Sequence, residues 1–159
     1  MKISIKLIYG LIGGSLLLSS CNSSKITAGN YPLKTECIRI ELDGSQSLIA
    51  WGNGSNRAAA MENAKIIAIR DVLFYGINDG KSGCNLIPIV LEVNAQNKQE
   101  AYFSKFFAYK GEYDNFISIK KELKSLKVAV DKSVTYGLEV RVLRTELKQK
   151  MISDGILKI

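Results

Sequence analysis

The sequence contains no histidine in 159 residues. That excludes Ser-His-Asp and Cys-His nucleophilic arrangements, most zinc sites, and the commonest general base near neutral pH. Carboxylates such as Glu112 and Asp114 are present, but no spacing sets two of them across a cleft. Lone charged side chains of this kind are surface groups in most folds. A membrane-spanning run is also lacking. The apolar stretch Leu7 to Leu18 is twelve residues long, and a helix needs about 20 to cross a bilayer. Phosphate-binding loops are imitated but incomplete. After Gly52 and Gly54, the third glycine of a dinucleotide fingerprint would fall at Arg57, and Gly80-Lys81-Ser82 follows Gly76 one residue too closely for a P-loop. Long repeats and low-complexity tracts are absent. The expectation is a chain with no catalytic residues, no metal and no cofactor.

The first residues read as an address. Lys2 and Lys6 precede the short apolar run, which holds Gly10, Gly13 and Gly14 and ends in small residues. A basic start, a short apolar run and a small-residue cleavage site make a secretory signal. Leu18-Ser19-Ser20-Cys21 resembles the lipobox of bacterial lipoproteins, in which the cysteine thiol receives diacylglycerol before the peptide is cut ahead of it. The resemblance implies a signal peptide at 1–20, lipidation at Cys21 and a membrane partner reached through N-terminal lipid. Asn22 follows, where an inner-membrane retention signal would have aspartate, and Asn22-Ser23-Ser24-Lys25 lacks an acidic surface-export run. The expected location is the outer membrane, facing the periplasm.

Removing residues 1–20 leaves 139, enough for one domain with a real core. Lys2 and Lys6 leave with the signal, so the formal net charge falls from +7 to +5. That suits anionic head groups or an acidic partner. Nucleic acid is not an expected partner in the envelope. Lys120, Lys121, Lys124 and Lys127 read as a solvated face. Apart from Cys21 the cysteines are Cys37 and Cys84. Two cysteines in an oxidising compartment read first as a disulfide; the alternative is two buried thiols whose side chains point apart.

Residues 21–34 read as a flexible tether, with Gly29, Asn30 and Pro32, and 35–159 as a single domain. Ile38, Ile40 and Leu42 alternate with Arg39 and Glu41, which predicts a half-buried strand. Asp43-Gly44 is a tight-turn pair, and Ser47 to Trp51 returns as a second strand that Gly52-Asn53-Gly54 ends. Ser55 or Asn56 caps a long helix to about Tyr75. Within it Ala60, Ala64 and Ala68 form a small-residue ridge suited to lying close on a sheet, and Gly76 and Gly80 close it.

Ile87 to Val93 predicts a strand, with Pro88 near its start. Asn97 and Glu100 have capping-box spacing for a helix through Tyr109, with Gly111 just past its end. Phe116, Ile117 and Ile119 suggest a strand, and Tyr136, Leu138, Val140 and Val142 alternate with Gly137, Glu139 and Arg141 as a clear one. A last helix over 145–154 carries Leu147 and Met151 and stops at Gly155. The order β-β-α-β-α-β-β-α, with one optional strand before the last, predicts an α+β fold. Its sheet would be mostly antiparallel, with a long central helix and two shorter helices packed on it.

The stretch Ala50-Trp51-Gly52-Asn53-Gly54-Ser55-Asn56-Arg57-Ala58-Ala59-Ala60-Met61-Glu62-Asn63-Ala64 resembles the strand, glycine turn and alanine-rich helix of certain small outer-membrane lipoproteins. A similar α/β module stands at the amino end of the periplasmic flagellar T-ring protein. The resemblance implies an envelope scaffold without catalysis and carries over no functional residue. Cys37, Cys84 and the aromatic segment lie outside it.

That segment holds seven of the thirteen aromatic residues between 102 and 116. Tyr102, Phe106, Tyr109 and Tyr113 follow helical spacing, with Phe103 and Phe107 as the adjacent row. The ordinary reading is a stripe covering the sheet, in which burying either row buries Phe106 or Phe107. The functional reading makes Tyr102, Phe106, Tyr109 and Tyr113 partner-binding candidates. The expected function is a lipid-anchored periplasmic scaffold or interaction subunit of a secretion, fibre or motility assembly. The alternative is a lipoprotein that binds lipid or glycan through its aromatic segment.

Overall fold

A computed structural model describes residues 34–158, apart from 78, 86 and 124–132. The signal peptide, Cys21, nearly all of the tether, Lys124 and Lys127 lie outside the described residues. The architecture is α+β. A mostly antiparallel five-stranded sheet has the order β3-β1-β2-β5-β4. Its strands are β1 (Glu36–Ile40), β2 (Gln46–Gly54), β3 (Asp79–Gly80), β4 (Ile117–Glu122) and β5 (Val134–Val142). The helices are α1 (Arg57–Arg70), α2 (Ala95–Lys98), α3 (Glu100–Phe106) and α4 (Arg144–Ser153). None is long and apolar enough to cross a membrane among the described residues.

The hairpin at Asp43-Gly44 forms as its residues dictate. Gly44 sits at φ +80, and the Asp43 carboxylate accepts from the Ser45 amide at 3.1 Å and the Ser45 hydroxyl at 2.6 Å. β2 then runs on through all three residues expected to end it. Gly52, Asn53 and Gly54 pair with Tyr136, Thr135 and Val134. The two glycines serve packing and not a turn. A Cβ on Gly52 would stand 2.1 Å from the Ala60 carbonyl oxygen, and one on Gly54 would stand 2.5 Å from the Ala59–Ala60 amide nitrogen. Helix α1 lies backbone-on-backbone against the strand there, and Ala60, Ala64 and Ala68 are its fully buried ridge. The Asn56 side chain accepts from the Ala59 amide at 2.9 Å, as a cap should.

Beyond Arg70 the helix widens into a π-helical turn over Asp71–Tyr75, closed where the Gly76 amide donates to the Asp71 carbonyl at 2.8 Å. The carbonyls of Val72 and Leu73 are left without helical donors. The Ile89 and Val90 amides supply them at 2.9 and 2.8 Å. This corrects the expectation of a strand over 87–93. Its backbone caps a helix end, and two consecutive residues, Ile89 and Val90, are buried where a strand would alternate. Gly80 does not close the helix either; it lies in β3, parallel to the start of β1.

The core gathers Leu48 and Ala50 of β2 and Leu138, Val140 and Val142 of β5 under Ile69, Val72 and Leu73. Phe103, Phe106, Tyr113, Leu147 and Met151 complete it. On the opposite face of the sheet Trp51 lies flat on Gly137, where a Cβ would come within 2.7 Å of the ring. Arg39, Glu41, Lys120, Asp43 and Arg141 pair with one another at that side. Cys37 and Cys84 are joined by a disulfide, with Cα atoms 6.2 Å apart. It ties β1 to the loop that follows β3.

Candidate functional site

The aromatic segment does not form one helical face. Two short helices break at Gln99, Asn97 falls inside α2 and caps nothing, and α3 ends at Phe106. Tyr109 lies past that end, and Tyr113 belongs to a 3-10 turn over Glu112–Phe116. The four candidates therefore separate. Phe106 and Tyr113 are buried in the core. Tyr102 is half-buried, stacks on Phe106 with ring centroids 5.8 Å apart, and donates its hydroxyl to Asp154 of the α4 end. Tyr109 alone is open, at 77% exposure. Burial takes Phe106 and Tyr113 out of any docking row, and the segment is mainly the stripe that covers the sheet.

Tyr113 anchors a small polar network on α1. Its hydroxyl donates to Glu62. Lys65 reaches Glu62 at 2.8 Å and Asp114 at 2.6 Å, and lies 5.7 Å from the Tyr113 ring centroid. Burial pushes the Tyr113 hydroxyl well above the usual phenol range, and the Glu62 carboxylate beside it adds to this. Burial would also raise Glu62, but its bonds from Lys65 and Tyr113 outweigh that and leave it lowered. Lys65 is raised, because its two carboxylate partners outweigh the desolvation that opposes them. This network holds the 3-10 turn on α1.

Beside the network lies an open groove of about 610 Å³ between α1 and the edge strand β4. Met61 and Ile66 of α1, Ile119 of β4 and Tyr109 are its apolar lining. Ile119 remains 41% exposed because α1 covers β2 and β5 and stops short of β4. Glu62 and Lys65 fix the polar rim. Sequence reasoning found Tyr109 but not Met61, Ile66 or Ile119. Met61 and Ile66 pack partly on the core, and Ile119 is left open by the lateral offset of the helix on the sheet. A second exposed apolar set, Tyr75, Ile87, Leu91 and Val93, rims the loop that caps the π-helical turn.

No group of three or more Cys, Asp or Glu side chains is disposed to hold a metal ion among the described residues. No family model matches the chain, and neither a curated protein nor a solved structure matches it.

Proposed function

We propose that this chain is a lipid-anchored, periplasm-facing subunit of an outer-membrane assembly of secretion, fibre or motility type, acting as a docking module and not as a catalyst. The groove between α1 and β4 carries the reading. It brings the exposed Tyr109 and Ile119 together with the partly buried Met61 and Ile66, an apolar surface that a docked partner would cover. The lipobox-like Leu18-Ser19-Ser20-Cys21 and the likeness of residues 50–64 to small outer-membrane lipoproteins support the location. The Cys37–Cys84 disulfide supports an oxidising compartment.

The test is affinity purification from detergent-solubilised membranes, comparing wild type with Tyr109→Ala and Ile119→Asp. Loss of the co-purifying protein with an unchanged melting curve is expected. Recovery equal to wild type from both variants would move the docking face elsewhere. Fatty-acid labelling of Cys21→Ala checks the anchor separately, since equal label on wild type and variant would remove the lipoprotein reading.

A further inference from the structure

Arg70 is the last residue of α1. It makes no ion pair with any described residue. Its Nε is the only buried side-chain polar atom without a hydrogen-bond partner among the described residues. A buried donor left unmatched is costly, and native proteins keep few of them without a reason. The guanidinium carbon stands 5.0 Å from the Phe107 ring centroid. The ring covers the cation from one side and offers Nε no oxygen acceptor.

Arg70 also lines an open pocket of about 450 Å³ between the end of α1 and helices α2 and α3. Gln96, Asn97 and Ser104 line it with amides and a hydroxyl that make no hydrogen bond within the described protein, and Phe103 and Phe107 supply its apolar wall. Glu100 is also at its border, yet it does not pair with Arg70. A planar fork held against an aromatic ring suits a planar oxyanion. Unused amides beside it suit a peptide group. The Glu100 charge disfavours a multiply charged anion. The volume lies within the range of small-ligand sites.

We propose that this pocket binds a single carboxylate attached to an amide-bearing body, the C-terminal end of a short peptide, with Arg70 as the recognition residue. The probes are N-acetyl-alanyl-alanine, its C-terminal amide, and inorganic phosphate. Each is titrated into the full chain in detergent, with calorimetry and the Arg Nε–H nuclear magnetic resonance signal as readouts. The free acid is expected to bind saturably and to shift the Arg70 signal. The amide should bind at least about tenfold more weakly, since it forfeits a charge-assisted pair. Phosphate should bind no more tightly than the acid. Arg70→Gln should remove binding by the same factor, Arg70→Lys should weaken it severalfold by keeping charge without the fork, and Glu100→Gln should strengthen it. Acid and amide binding alike, no binding by the acid, or an Arg70→Lys affinity equal to wild type would each overturn the proposal. Phosphate binding more tightly than the acid would overturn the carboxylate assignment. Should Arg70→Gln fail to fold, the Arg70→Lys and Glu100→Gln titrations still decide it.

Discussion

Replacing Gly52 by alanine asks whether that glycine serves a turn or a close approach, and the two answers differ in sign. Gly52 does not sit at positive φ. If its only role were backbone freedom, alanine would stiffen the unfolded chain and stabilise the fold by about 0.4–1 kcal/mol. The structure gives the opposite. The added methyl would lie 2.1 Å from the Ala60 carbonyl oxygen and 2.2 Å from the Ala64 amide nitrogen, where ordinary contact begins near 3.4 Å. Helix and sheet must part by more than about 1 Å over a close-packed seam. Both obstacles are backbone atoms, so no rotamer change relieves them. Overpacking costs typically about 1–3 kcal/mol, and a clash against two backbone atoms belongs at the upper end, about 3 kcal/mol. At roughly 4 °C per kcal/mol for a domain of this size, the melting temperature should fall by about 12 °C. Thermal denaturation followed by circular dichroism reads this directly. Gly83→Ala is the comparison, because a methyl there meets nothing within 4 Å and suffers only the φ of +92, about 1–2 kcal/mol. A Gly52→Ala melting temperature equal to or above wild type would refute the backbone-contact reasoning.

Reduction of the disulfide, or Cys37→Ser with Cys84→Ser, should lower stability by about 4 kcal/mol in the chain-entropy account, given the 47-residue separation; denaturant titration with and without reductant measures it. Phe106→Ala should cost about 3–5 kcal/mol, while Tyr109→Ala stays within about 0.5 kcal/mol of wild type. Equal melting curves for the two would contradict their placement in core and at surface. Hydrogen bonds from Lys120 and Ser47 hold the Glu41 carboxyl down to about 2, from an ordinary 4.5. Its stabilising effect is therefore present above the unfolded value and is lost as pH falls from about 4.5 through about 2. Glu41→Gln should flatten that acid limb of a melting-temperature profile and leave the neutral region's slope unchanged.

Local pattern carried those parts of the fold whose partners lie in regular elements. The alternation from Tyr136 to Val142 predicts β5, and Ala60, Ala64 and Ala68 predict a helix lying close on a sheet; both are so. Two cysteines admitted a bridge, and one is formed. The apolar run Ile87 to Val93 misled because its composition is strand-like, while the Ile89 and Val90 amides bond to carbonyls left free at Val72 and Leu73. The aromatic row misled for another reason. Helical spacing does not continue past Phe106, where α3 stops, so the four residues of one supposed face divide among the core (Phe106 and Tyr113), a half-buried contact (Tyr102) and the open surface (Tyr109). Arg70 gave no signal at all: a lone arginine within a helix expected to run to about Tyr75 reads as a solvated charge. Its isolation depends on α2 and α3, which arrive some thirty residues later.

Trp51 is the single tryptophan of the chain, and its seat on Gly137 makes it a native optical reporter of one seam. Its emission will follow the separation of β2 from β5, the pair joined over nine consecutive registers, and will be nearly blind to the aromatic core under α1. Far-ultraviolet dichroism weighs the helices instead. Superimposable transitions by the two signals would mean that the central seam and the helical layer melt as one cooperative unit. An earlier dichroism loss would mean that α3 and α4 peel away while the strands stay zipped.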